Sequence, residues 1–132
     1  MRMAELLRTE WWQLDVPEGW RSERTRDAVL LRSPSGTTIR VASMAKQQGV
    51  VTTADLRRYA GSAANGGWQE EEISWALFDG LRFHSGNPIR AEKYYLRNKA
   101  LMLVVTCTYD ESCLKGELEA IRGVLTQLAP LL

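Results

Sequence analysis

Leu101-Met102-Leu103-Val104-Val105 is the segment that most narrows what this chain can become. Five consecutive apolar residues put apolar side chains on both faces of a strand, and such a strand must lie centrally with protein covering each side.

The other periodic segments fall around it. Trp12, Leu14 and Val16 alternate with Gln13 and Asp15, and Pro17-Glu18-Gly19 closes that strand with turn residues. Asp27 to Arg32 and Thr37 to Met44 read as a hairpin about Ser33-Pro34-Ser35-Gly36. Glu70 to Phe78 returns to period two, with Ile73, Trp75 and Leu77 on one face, and Asp79-Gly80 reads as a two-residue hairpin turn into Leu81, Phe83 and Ser85. A strand starts at Ile89 and runs to Leu96, and Arg97-Asn98-Lys99 turns the chain into Leu101 to Tyr109.

Two stretches carry helical spacing. Thr52-Thr53-Ala54-Asp55 offers a threonine cap and an acidic first turn; Leu56, Tyr59, Ala60 and Ala63 supply an apolar stripe, and Asn65-Gly66-Gly67 ends it. Leu114, Leu118, Ile121, Leu125 and Leu128 mark a C-terminal helix with Pro130 just beyond. Strands, helix, more strands, helix: the order predicts an α+β domain, a mainly antiparallel, meandering sheet sandwiched by helices, not alternating βαβ units. Residues 1–10 carry no clear periodicity.

The chain has 132 residues, the size of one domain (1–132), and a chain of that length buries enough surface to fold without a metal or disulfide. Seventeen basic residues balance 16 acidic ones, and Arg21, Arg24 and Arg26 are interleaved with Glu23 and Asp27, so nucleic acid is not an expected partner. Glu5 and Arg8 interrupt the N-terminal apolar residues, so no signal peptide is read there, and no stretch is long enough to cross a bilayer. The expected location is the cytoplasm, with Cys107 and Cys113 as reduced thiols.

The opening strand followed by Val16-Pro17-Glu18-Gly19-Trp20 resembles the P-x-G-W start of the PsbP-like superfamily. The order of hairpin, helix, strand ending at Asp79-Gly80, strand pair through Tyr94-Tyr95 and Cys107, and final helix is similar from about Trp11 to Leu128. The superfamily includes the PsbP subunit of photosystem II, a nuclear import factor that binds the Ran GTPase, DcrB-like proteins, and Eag chaperones for type VI secretion effectors. The resemblance implies a PsbP-like α/β/α fold and an accessory, mostly non-enzymatic binding role.

No group of residues spells out a reaction. His84 lies on the same strand face as Arg82 and would need Cys107 or Asp79 beside it in space to act as a base. Cys107 sits in the most apolar strand as an inert small hydrophobe, and Cys113 near a helix start lacks a base. Glu70, Glu71 and Glu72 alternate across a strand, so they cannot converge on one metal and read as a solvated edge facing Arg82 or Arg90. Gly61, Gly66 and Gly67 end a helix, whereas a phosphate loop opens one. No catalytic residue, cofactor or metal is expected.

Tryptophans at 11, 12, 20, 68 and 75 are the more informative group. If Trp12 faces inward, Trp11 faces the other side of its strand, either to a binding partner or beneath a second layer. Trp11, Trp20, His84 and Tyr94 are the candidate binding residues. The leading expectation is an adaptor that binds another protein through an aromatic-lined sheet face or groove, with a secretion-effector chaperone as its concrete form. The alternative is a small-molecule or lipid pocket between sheet and helix. Edge strands leave homodimer formation as a further expectation.

Overall fold

The computed structural model describes residues 5–65, 68–85, 91–109 and 115–131. Among these residues ten strands and two helices follow in the order β1 (Glu5–Arg8), β2 (Trp12–Val16), β3 (Arg21–Arg24), β4 (Ala28–Arg32), β5 (Thr38–Ala45), α1 (Thr53–Asn65), β6 (Gln69–Ser74), β7 (Asp79–His84), β8 (Ala91–Asn98), β9 (Leu101–Thr108), α2 (Lys115–Leu125) and β10 (Ala129–Pro130). Seven of the strands form one sheet in the order β3-β4-β5-β9-β8-β7-β6, and β1-β2-β10 form a second, smaller one. Every pairing is antiparallel. The fold is α+β, and β9 is central, as its apolar run requires.

Each face of β9 has its own cover. Leu101, Leu103, Val105 and Cys107 join Val29, Leu31, Ile39 and Val41 in the larger core. Its lid is Trp12, Leu14 and Val16 of β2 together with Ile121, Val124, Leu125 and Leu128 of the C-terminal segment. The second layer on this side is therefore a helix plus a small sheet. On the other face Met102 meets Leu81, Phe83 and Tyr95 beneath Leu56 and Ala60 of α1. The start of α1 is fixed by a reciprocal cap: the Asp55 amide donates to the Thr52 hydroxyl (3.1 Å) and the Thr52 amide to the Asp55 carboxylate (2.9 Å).

Several sequence expectations shift. The N-terminal residues left unassigned contain β1, whose Leu7 is buried opposite Leu14 while Leu6 faces outward. β3 has no buried residue and forms only by pairing along β4. The helix stripe is narrower than expected, because Tyr59 is 54% exposed, and Gly61 breaks the helical geometry inside α1 (φ 27°, ψ −94°). β6 stops at Ser74, so Trp75-Ala76-Leu77-Phe78 is the turn; Leu77 is exposed and Phe78 takes the buried place. Asp79 and Gly80 belong to β7. A Cβ on Gly80 would lie 2.0 Å from the Tyr95 carbonyl oxygen, so this glycine serves a close approach of two strands and not a turn. The β8–β9 hairpin turns at Lys99-Ala100, with Lys99 at φ 54°. Pro130 pairs with Trp12 in β10. The expectations for Gly66, Gly67, Ile89, Arg90, Cys113 and Leu114 lie outside the described residues.

Candidate functional site

Alternation along β7, β8 and β9 turns Arg82, His84, Glu92, Tyr94 and Cys107 toward the larger core. Glu92, 1% exposed, is the hub. Its carboxylate accepts hydrogen bonds from the Arg82 guanidinium, from the Tyr94 hydroxyl (2.8 Å) and from the Tyr109 hydroxyl. Arg82 also donates to Glu71 on β6 (3.1 Å). Burial alone would push the Glu92 carboxyl up; the bonds from Tyr109, Arg82 and Tyr94, with the charge of Arg82, reverse this and hold it below the usual carboxylate range. Burial raises both phenols, and the Glu92 charge adds to it.

His84 and Cys107 are both register partners of Glu92, so a histidine, a carboxylate and a thiol share one row across three strands. They do not make a nucleophile–base pair. Two strand spacings of about 4.8 Å separate the thiol from the imidazole, and Cys107 is fully buried with its thiol pushed well up by burial. Arg82 Nη2 and His84 Nδ1 are buried without a hydrogen-bond partner among the described residues. The row is a polar cluster inside the core wall, held together by the hydrogen bonds that converge on Glu92.

A surface-accessible arrangement lies at the opposite end of β5. β4 begins at the Ala28–Ala42 pair, whereas β5 runs on to Ala45 alongside Leu101, so the last residues of β5 have no strand on their β4 side. A groove of 580 Å³ opens there between the β1–β2 turn, the β3–β4 turn and β5, with Trp11, Arg26, Arg40 and Met44 among its lining. Trp11 is half-buried, fixed by its carbonyl accepting from the Leu131 amide (2.8 Å). Met44 also lines a second groove of 140 Å³ along α1, with Val51, Arg58, Tyr59 and Met102. The two grooves meet at Met44. Lys46 is steadied at this end by Asp55 (2.8 Å), and that contact is the main reason the Asp55 carboxyl falls to about 2.

Of the four candidate residues, only Trp11 lines this groove. Trp20 is half-buried against the larger core. Tyr94 is 1% exposed, and His84 is half-buried on the adjacent strand. The structure thus brings His84 and Tyr94 together around Glu92 and leaves Trp11 at the far end of the sheet. Met44 and Tyr59 are not among the sequence candidates: Tyr59 reads as part of the buried stripe of α1, and its exposure comes only from how the helix packs on the sheet. Among the described residues no group of histidine, cysteine, aspartate and glutamate is placed to hold a metal ion, and no helix is long and apolar enough to cross a membrane.

No protein-family model matches the chain, and no curated protein sequence matches it. Solved structures do. The solution structure of cyanobacterial PsbP (CyanoP) from Synechocystis sp. PCC 6803 superposes with a TM-score of 0.64 at 10% identity, covering 98% of this chain and 94% of that one. A crystal structure of a protein from Bacteroides thetaiotaomicron VPI-5482 superposes with a TM-score of 0.61 at 12% identity, covering 91% of this chain. The match spans 45% of the Bacteroides protein's length. The chain has a PsbP-like fold.

Proposed function

We propose that this chain is an accessory protein that binds a segment of another protein in the groove running from Trp11 over Met44 to Tyr59. One observation carries the reading. The exposed large apolar side chains among the described residues are Leu6, Met44, Val50, Tyr59 and Leu77, and Met44 and Tyr59 line one groove, with Val50 next to its Val51. Apolar side chains gathered at a concave surface, with an aromatic residue at each end, are the usual anchors of a binding site. The fold it shares with CyanoP is compatible with such a role. The grooves are open clefts, which suits a polypeptide better than an enclosed small molecule. The narrower form of the proposal is a chaperone that holds an apolar effector segment as a helix in a groove.

The test is affinity capture from the native host with the parent protein, with Met44→Asp/Tyr59→Ser, and with Leu77→Ser as a control at another exposed apolar site. A near-stoichiometric protein retained by the parent and the control but lost from the double variant is the expected result. Equal capture by all three refutes the site. For the chaperone form, deleting an apolar segment of the captured protein abolishes binding.

A further inference from the structure

We infer that the partner segment is acidic and amphipathic, its carboxylates held by Arg21, Arg32 and Arg40 on the half of the sheet that α1 leaves bare; this rests on the protein-binding reading above and gives the partner its chemistry.

The α1 side of the large sheet is only partly covered. α1 lies over Leu81, Phe83, Tyr95 and Met102, whereas β3, β4 and β5 present this face to solvent. Strand pairing fixes what stands there. Arg21 lies directly opposite Arg32, and Leu30 opposite Arg40, which continues the row to Thr106 and Lys93. The three arginines are exposed, and none makes an ion pair or side-chain hydrogen bond with the described residues. Glu23 is the one acidic side chain that β3, β4 and β5 place on this face. The whole chain carries a net charge of only +1, so this face concentrates positive charge that is balanced elsewhere.

Like charges directly opposite across two strands destabilise the pair, and an acidic residue at either position would remove the repulsion. A fold that keeps Arg21 against Arg32, with Glu23 as the neighbouring carboxylate of these strands on this face and no ion pair to it, is poised for an anion from outside. Leu30 lies beside Arg40 and is half-buried, and the next row of this face is apolar: Ala42 and Val104 are half-buried and Ala28 is buried. That combination fits carboxylates on one side of a peptide and aliphatic side chains on the other. Nucleic acid fits less well, because β3, β4 and β5 place no aromatic residue here on which a base could stack, and the chain has no basic excess. The face is continuous with the proposed groove through Arg40 and Met44.

The experiment uses the full chain and four probes: a fluorescein-labelled peptide of about 16 residues with leucines at helical spacing and glutamate elsewhere, its lysine-for-glutamate counterpart, an oligothymidylate of similar length, and phosphatidylglycerol vesicles. The acidic peptide binds and the lysine peptide does not, and affinity falls as salt is raised. Arg32→Glu and Arg40→Glu each weaken binding at least tenfold, and the Arg→Gln versions weaken it less. Arg21→Glu is the discriminating variant: it weakens binding while holding or raising the melting temperature, since it faces Arg32 with an opposite charge. A fall in melting temperature with unchanged binding would assign these arginines a structural role and overturn the inference. So would equal binding of the two peptides, no binding of the acidic one, or tighter binding of oligothymidylate or vesicles. Loss of native capture in Met44→Asp/Tyr59→Ser alongside any of those outcomes would leave the protein-binding reading standing and remove only the acidic partner.

Discussion

Replacing Arg82 by methionine tests the account of the Glu92 cluster most directly. In the parent the Arg82 and Glu92 side chains are 6% and 1% exposed. Methionine keeps much of the stem's volume and removes the counter-charge, leaving a carboxylate in the core with two phenol hydrogen bonds. Removing one partner of a buried pair costs about 3–5 kcal/mol. The ion pair with Glu71, broken by the same substitution, adds little, because Glu71 is 55% exposed. For a domain of this size the loss corresponds to roughly a 10–25 °C fall in melting temperature. The pH dependence shifts as well. In the parent the Glu92 carboxyl lies below its ordinary 4.5, so its stabilisation is present above that pH and is lost as pH falls through the folded value. In Arg82→Met the Arg82 bond and charge no longer oppose burial, the largest influence on this carboxyl, so its folded value rises and the penalty at neutral pH is relieved as the carboxyl takes up a proton. Urea unfolding followed by tryptophan fluorescence at about pH 7 and pH 4.5 measures both effects. The gap between parent and variant narrows on acidification, and Arg82→Met/Glu92→Gln regains about 1–3 kcal/mol over the single variant at neutral pH. A loss under about 1 kcal/mol, or a gap unchanged with pH, would refute the reasoning.

Three further outcomes follow from the fold. Thr52→Ala removes the α1 cap and lowers stability by about 1 kcal/mol in denaturant unfolding, with little change in m. Gly80→Ala forces a Cβ against the Tyr95 carbonyl and cannot be absorbed by side-chain motion, so stability falls by about 3 kcal/mol, the upper end for overpacking, and amide exchange rises at the β7–β8 pairing. In a Cys113→Ser background Cys107 resists a thiol-disulfide reagent in native buffer and reacts only on unfolding, because it is fully buried and its thiol is pushed up.

Much of the architecture was legible where a segment buries one face or two. The run from Leu101 to Val105 forced a covered central strand, and the α1 cap was visible in Thr52 and Asp55. What escaped has local physical causes. β3 is polar throughout and exists through its neighbour, and two-residue β10 is too short to carry a period. Asp79-Gly80 has turn composition, but the demand for glycine comes from Tyr95 on the next strand. The site was less legible still. Arg82 and Glu92 meet through hairpin register, and Met44 and Tyr59 meet through the packing of α1 on the sheet. Arg21, Arg32 and Arg40, interleaved with other residues in the chain, are gathered only by the period-two alternation of three paired strands.

The pairing of β5 with β9 sets the order in which the molecule can form. Neighbouring strands elsewhere in the large sheet are joined by short connections: Arg32 meets Thr38, Ser74 meets Asp79, and Asn98 meets Leu101. Ala45 and Leu101, by contrast, are 56 positions apart (101 − 45). Closing that loop costs about 2 kcal/mol more chain entropy than closing the Ser74–Asp79 turn. Two meanders, β3 to β5 and β6 to β9, can therefore form through short closures, whereas the seam between them closes only at the larger entropy cost. Until it does, β9 presents the most apolar edge in the chain unpaired, and that interval is when aggregation competes with folding.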